Sequence, residues 1–469
     1  MNLALAAIVT CTLHSSRGQS ASQHDVRKSL LHPGPCLQST TCLILFTPRI
    51  FGGSTRGIYP SPQILQITSE LAYRCCNLGF TCWRAEAAGA HNAAMTSSIR
   101  VGIVGATTTV GGSGWGANAH VPALHALPDY ELLAVCTAHP DTAQASASAF
   151  KAELAYHDFD ALVAQPDIDL VAVVVRVPKH FELVMKALHA GKAVFCEWPL
   201  GATVAEAEQM RDLAAARSLR TAVGLQAQSD PTLMYARELV QQGFIGDVLG
   251  ASFTATSQAI TERGTGRIWQ GDRRNGANTL TIAGGHAIDA LCFILGEFDE
   301  VTARLATRIT EWHNPETGET MSVDSPDWIS VSGKLHSGAE VSYLVATVPT
   351  APSGTRFDMF GTQGALRITA PSVNLGPNQL SGARGREQLA PMETPERFNL
   401  VPESLVAGPP HNVAQEYARF AVAFKSGESY EPDFAHAVKR HRLIEAIDRS
   451  AAEGHAVRLQ PEEQVAGRT

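Results

Sequence analysis

The sequence predicts an α/β chain: a doubly wound parallel sheet followed by an α+β domain with an open, mainly antiparallel sheet. Two observations carry this. From Ile99 onward, short apolar runs rich in β-branched residues alternate with helical segments, the pattern of a parallel sheet covered on both faces. After about position 245 the strand-like runs lengthen and follow one another directly, the pattern of an antiparallel sheet.

The strands of the first part are "IRVGIV" (99–104), "ELLAVC" (131–136), "LVAVVV" (170–175) and "AVFC" (193–196). Helix signals lie between and after them. Gly191 stands where a helix over about 180–190 should end, as its C′ residue. "TVAE" (203–206) is a capping box, with Thr203 at the N-cap and Glu206 three residues on. Asp230-Pro231 opens the next helix and Gly243 closes it. The second part offers "VLGASFTATSQA" (248–259), "VTARLATRIT" (301–310), "WISVSGKLH" (328–336) and "AEVSYLVATV" (339–348) as strands. "HSGA" and "GTQG" (361–364) read as hairpin turns. Helices near 412–426 and 434–453 close the chain. The expected division is 95–224 for the first domain and 225–469 for the second, with the final helix free to pack back on the first.

The 469 residues suit about two to three domains. A net charge of −8 argues against a nucleic-acid-coating surface, and no apolar run approaches the ~20 residues of a membrane span. A cytoplasmic location is expected. Residues 1–94 are rich in Ser, Cys and Pro without a sustained period, and Met95 stands directly before the globular pattern. They read as a disordered or mis-started extension, with an organelle-targeting segment as the alternative. Cys136, Cys196 and Cys292 sit inside apolar runs and read as buried structural thiols. No Cys or His spacing suggests a metal site.

"VGIVGATTTVGGSGWGANAHVPAL" (101–124) places Gly105 at the end of the first strand, where a doubly wound sheet binds ligands. Glycine there lets backbone N–H groups approach a pyrophosphate, and Gly114 and Gly116 restore that approach after a looped-out insertion. The end of the next strand carries Thr137 and His139 rather than the acid that favours NAD, so NAD or NADP is expected.

Several ordered stretches together resemble the Gfo/Idh/MocA oxidoreductases, most closely the branch containing the fungal galactose-regulon repressor. They are "RVGIVG…GWGANAHVPAL", "VVRVPKHFELVMKALHAGKAVFCEWPL", "GLQAQSDPTLMYARELVQQGFIGDV", "GGHAIDAL" and "GTQGALRIT". The resemblance covers about 99–460. It implies a Rossmann NAD(P)-binding domain, then an α/β domain whose open sheet serves substrate binding and oligomer contacts, in a dimer or higher homo-oligomer. It places Trp115, Val177, Pro178, His180, Glu197 and Trp198 beside the cofactor. Gln226 and Gln228 fall in its substrate-side segment. His286 matches its proton-transfer residue, and Asp289, one helical turn on, is expected to bind substrate with Gln226 and Gln228.

Two positions depart from the family. Trp198 replaces the lysine of its Glu-Lys-Pro motif, and Ile282 stands where an Asp is common. Indole has no titratable proton and cannot replace that lysine in acid–base work. Lys179 reads either as a surface lysine starting a helix or as a substitute positive charge. The basic stretch "HAVKRHR" (436–442) reads as an amphipathic helix with a solvated basic face, without nucleic-acid contact. The expected function is hydride transfer between NAD(P) and a carbohydrate or polyol. The alternative is a non-catalytic dinucleotide-binding regulator acting through protein contacts.

Overall fold

The computed structural model describes residues 98–108, 114–258, 261–405 and 408–459, with the two-residue strands Cys11–Thr12 and Thr41–Cys42. The chain forms two units, Met1–Arg84 and Ala85–Thr469. In the first, the two short strands pair antiparallel. The expectation of a disordered or mis-started segment over 1–94 lies outside the described residues.

The second unit opens with a six-stranded sheet. Its strands are β1 (Ile99–Val104), β2 (Tyr130–Cys136), β3 (Leu154–Tyr156), β4 (Leu170–Val173), β5 (Ala193–Glu197) and β6 (Thr221–Gly224). All neighbours are parallel, in the order β3-β2-β1-β4-β5-β6. The connecting helices are α1 (Val121–Ala126, entered through a π turn at Gly116–His120), α2 (Pro140–Ala149), α3 (Phe159–Ala164), α4 (His180–His189) and α5 (Val204–Ala216). Alternate strand residues feed opposite faces: Leu170 and Ala172 join one core, Val171 and Val173 the other.

Among the described residues the second sheet has nine strands. After α6 (Pro231–Gln241) come β7 (Val248–Gln258), α7 (Ala283–Leu295), β8 (Phe298–Ala306) and the small hairpin β9–β10 (Glu311–His313, Thr320–Ser322). Then follow β11 (Trp328–Leu335), β12 (Glu340–Val348), β13 (Gly354–Gly361), β14 (Gly364–Ala370), β15 (Gln379–Arg384) and β16 (Ala390–Met392). Helices α8 (Pro409–Ser426) and α9 (Phe434–Glu453) precede β17 (Val457–Arg458). The order is β16-β15-β14-β13-β7-β12-β11-β8-β17, antiparallel except for the β7–β12 pair. Along β11, Ile329, Val331, Gly333 and Leu335 are buried while their neighbours face outward, so one face is covered and one open.

The local signals are realised. The Thr203 side chain accepts from Glu206 N, and Asp230 accepts from Thr232 N and Leu233 N. Gly191 and Gly243 adopt φ of +77° and +75° just past their helices. Cys136, Cys196 and Cys292 are buried free thiols. Both terminal helices return to the first sheet: Val413, Ala414 and Tyr417 of α8 complete the core on one of its faces, and α9 packs on α5 and β8.

The reading of 436–442 as a solvated basic face is corrected. His436, Arg440 and His441 are buried, because α9 packs between α5 and β8 and its polar residues meet partners there.

Candidate functional site

A cleft of about 840 Å³ opens over the C-terminal ends of β1, β2, β4 and β5. This is the side on which an open parallel sheet binds ligands, and β1 and β4 flank its topological switch point. Gly105 begins the first turn with φ of +100°. A Cβ there would stand 2.0 Å from the Val174 carbonyl oxygen, so only glycine permits β1 and β4 to stay this close. Gly116 packs on Ala106, where a Cβ would meet the Ala106 Cα at 2.8 Å. Gly114, at φ of +68°, stands two residues before the π turn, and its carbonyl oxygen accepts from Asn118 N. Neither Gly114 nor Gly116 lines the cleft; they shape the turn, and Thr107 and Trp115 line it. The inserted residues 109–113 lie outside the described residues.

At the end of β2, Thr137 and His139 line the cleft. The Thr137 hydroxyl lies 2.6 Å from that of Thr142 and 3.1 Å from the His139 carbonyl oxygen. Val177 lines the cleft and Pro178 does not. The ring nitrogens of His180 lie 2.9 Å from Pro199 O and 3.0 Å from Val175 O. Burial pushes its pKa below the ordinary value, so the neutral ring donates to one of the two. His180 thus ties the β4 turn to the segment after β5. Lys179 is an exposed partner of Glu182 and does not line the cleft, which places it as the surface lysine.

Trp198 is 4% exposed. Its Nε1 donates to Thr281 O at 2.7 Å and its ring packs 4.7 Å from that of His441. It also presses on Gly285, where a Cβ would stand 2.4 Å from Nε1. Trp198 therefore fastens the end of β5 to the start of α7, the helix that carries His286. Its N–H is committed to that carbonyl.

His286 lies in the first turn of α7, 5% exposed, and lines the cleft. Among the described residues its Nδ1 has no hydrogen-bond partner, and burial pushes its pKa below the ordinary value. Gln226 also lines the cleft, with a buried Oε1 that has no partner among the described residues. Two buried polar atoms left unsatisfied in one cavity fit a polar ligand there. With the Gly105 turn, the lining residues fit a dinucleotide, in a volume ordinary for cofactor sites (about 300–1,000 Å³).

Glu197 closes the cleft floor and has a partner that sequence reasoning missed. His120 Nε2 lies 2.8 Å from Glu197 Oε1, and His120 Nδ1 lies 2.9 Å from the Tyr417 hydroxyl. Burial holds the Tyr417 pKa well above its ordinary value, so the phenol keeps its proton and donates to Nδ1. Nε2–H then donates to the carboxylate. His120 stands in "GANAHVPAL", but Tyr417 is 297 residues away and carries no motif.

The expectation that Gln228 and Asp289 contact substrate is corrected: neither lines the cleft. Gln228 Nε2 donates to both Asp289 oxygens (3.1 and 3.0 Å), and Arg440 Nε donates to Asp289 Oδ1 (3.1 Å). His436 Nε2 lies 2.6 Å from the same oxygen and its Nδ1 2.7 Å from Glu431. Arg440 also pairs with Glu297 through two bonds of 3.0 and 2.9 Å. Burial alone would raise the Asp289 pKa; His436, then Arg440 and Gln228, bring it below its ordinary value. The reason is packing: one turn along α7 from His286, the side chain has turned away from the cleft into the helix layer.

Comparisons with known proteins agree with this architecture. Residues 99–225 match the family described as "Oxidoreductase family, NAD-binding Rossmann fold", and residues 231–370 match "Gal80p, C-terminal domain". The chain is 30% identical over 336 residues to dehydrogenase aclE of Aspergillus oryzae, spanning 69% of this chain and 88% of that protein. It is 25% identical over 423 residues to the galactose/lactose metabolism regulatory protein GAL80 of Saccharomyces cerevisiae, spanning 77% of this chain and 94% of that one. A levoglucosan dehydrogenase solved with NADH and L-sorbose superposes with a TM-score of 0.68 at 23% identity, covering 78% of this chain and 99% of that one. The chain belongs to the Gfo/Idh/MocA oxidoreductase family, near its Gal80-like branch.

Proposed function

We propose that the chain is an NAD(P)-dependent oxidoreductase acting on an alcohol/carbonyl pair of a sugar-like or polyol substrate. The observation that carries this is the pair of unpartnered buried atoms, His286 Nδ1 and Gln226 Oε1, in the cleft that begins at the Gly105 turn. The bound nicotinamide supplies the hydride chemistry. Gly105, Thr107 and Trp115 hold its pyrophosphate side, Thr137 and His139 its ribose side, and Val177, His180 and Glu197 flank the ring side. Trp198 forms an apolar wall that excludes water.

His286 is neutral at pH 7, because burial lowers its pKa. Its Nδ1 accepts the hydroxyl proton during oxidation and returns it during reduction. Gln226 Oε1 accepts a hydrogen bond from a substrate hydroxyl and orients it. The solved relative with L-sorbose supports a sugar-like substrate.

One observation favours the second reading, a dinucleotide-binding regulator. The Trp198 N–H is committed to Thr281 O and Ile282 is apolar, so neither supplies an acid group. The test is NADH and NADPH binding to the full chain, followed by a sugar and polyol panel. Wild type should turn over at least one compound. His286→Gln should keep cofactor affinity and lose turnover by about 100-fold or more, the usual scale of general acid–base catalysis. Tight cofactor binding without turnover across the panel would support the regulator.

A further inference from the structure

A second hollow of about 250 Å³ adjoins the dinucleotide cleft. Arg267, Gln270 and Ile282 stand in the walls of both, so the two adjoin at Ile282. Ile282 precedes His286 by one helical turn, a rise of about 5.4 Å that one small molecule can span.

The wall of this hollow carries two guanidinium groups, Arg263 and Arg267. Arg263 is half-buried, lies 4.2 Å over the Trp312 ring and donates to Gln270 Oε1 at 2.9 Å. These contacts fix the plane of its fork. Arg267 is exposed, at the edge shared with the cleft. Burial, then the like charge of Arg267, push the Arg263 pKa down to about 10. An anion seated here relieves that repulsion, and a neutral hydroxyl does not.

Among the described residues one carboxylate, Asp327, also lines the hollow. Its oxygens accept from Arg308 N and Ile309 N at 2.7–2.9 Å, so backbone donors already engage it. The whole chain has a net charge of −8, so long-range attraction does not bring anions here. Capture has to come from the local pair.

We propose that this hollow is the subsite for an anionic group of the substrate. The substrates are then acidic sugars or polyols, with the reacting carbon beside His286 and a carboxylate or phosphate facing Arg263 and Arg267. This rests on the oxidoreductase reading above for the reaction, but not for the binding. Guanidinium forks bind carboxylate and phosphate by the same paired hydrogen bonds, so the geometry names the charge and the test separates the two groups.

Full-length protein saturated with NADH is titrated calorimetrically with D-glucuronate, D-glucose 6-phosphate and D-glucose. At least one acid should bind about tenfold or more tighter than glucose, the scale of one hydrogen bond to a charged group. That preference should weaken with salt. Arg263→Gln should abolish it with NADH affinity retained, and Arg263→Lys should keep part of it. The acid preferred identifies carboxylate or phosphate. Equal affinities for the three sugars, failure of both acids to bind, or a preference that Arg263→Gln leaves intact overturns the proposal. Acid binding that depends on Arg263, with no turnover of these acids or of the sugar and polyol panel, supports the subsite and sinks the oxidoreductase reading. Turnover of glucose without any acid preference does the reverse.

Discussion

Restoring the family's lysine at position 198 should weaken the protein rather than activate it. Trp198 is 4% exposed and its ring fills the space between Gly285 and His441. Truncating a buried aromatic to alanine costs about 3–5 kcal/mol. A lysine stem refills part of that volume and its ammonium can reach Thr281 O, but it brings a charge into a wall where burial already pushes His441 down to about 3. We expect Trp198→Lys to lose about 2–4 kcal/mol, a large part of the 5–15 kcal/mol that holds a typical domain folded. Trp198→Phe keeps the ring and loses only the bond to Thr281 O, so it should lose about 1–2 kcal/mol. Urea unfolding followed by far-UV circular dichroism gives both values, and a sugar panel with NADH gives activity. A Trp198→Lys protein within about 0.5 kcal/mol of wild type, or one that gains turnover at no cost in stability, refutes the assignment of Trp198 as the fastening between β5 and α7.

Three further outcomes follow from the same geometry. Gly105→Ala should reduce NADH affinity severely, because its Cβ meets the Val174 carbonyl oxygen at 2.0 Å; Gly191→Ala, with nothing within 4 Å, should cost only about 1 kcal/mol of stability and leave NADH binding unchanged in fluorescence titrations. Thr137→Asp should lower NADPH affinity about tenfold or more relative to NADH, since a carboxylate at the end of β2 repels the 2′-phosphate; an unchanged ratio would move the ribose away from Thr137. Asp289 and the other partners raise the folded pKa of His436 above 6.5, so its stabilisation is complete below that value and fades as pH rises through the folded pKa. The gap in melting temperature between wild type and His436→Gln should therefore be larger at pH 6 than at pH 9, and a gap that widens with pH contradicts the pairing with Asp289 and Glu431.

Features written in neighbouring residues were legible in the sequence. The capping box at Thr203, the cap at Asp230, the left-handed Gly191 and the "HSGA" turn each depend on four or five consecutive residues. The alternation of buried strands and helices needed only periodicity. What stayed hidden joins residues that no local pattern relates. The helical spacing of the buried Val438, Leu443 and Ile447 marks one face of α9. It could not show that Arg440 and His436 turn inward as well, because their partners, Asp289 and Glu297, lie on and just after another helix. The same limit hid Tyr417 behind His120, and it misplaced Asp289 beside the substrate, since one helical turn from His286 is close in sequence yet faces a different neighbour.

The departure at position 198 shows how such a pair is read once the structure is known. In sequence, Trp198 stands out as the loss of a lysine, and the glycines of "GGHAIDAL" only as part of a family stretch that carries His286. In space, Trp198 occupies the volume that a Cβ at Gly285 would need, and its N–H ends on Thr281 just before the same helix. The indole and the glycine are therefore one structural feature written in two places. It sets the seat of α7, and through α7 the position of His286. If the chain performs chemistry, its proton donor is positioned by packing against an indole rather than by a neighbouring charge. The rate should then depend on the ring volume at position 198 more than on any titratable group there.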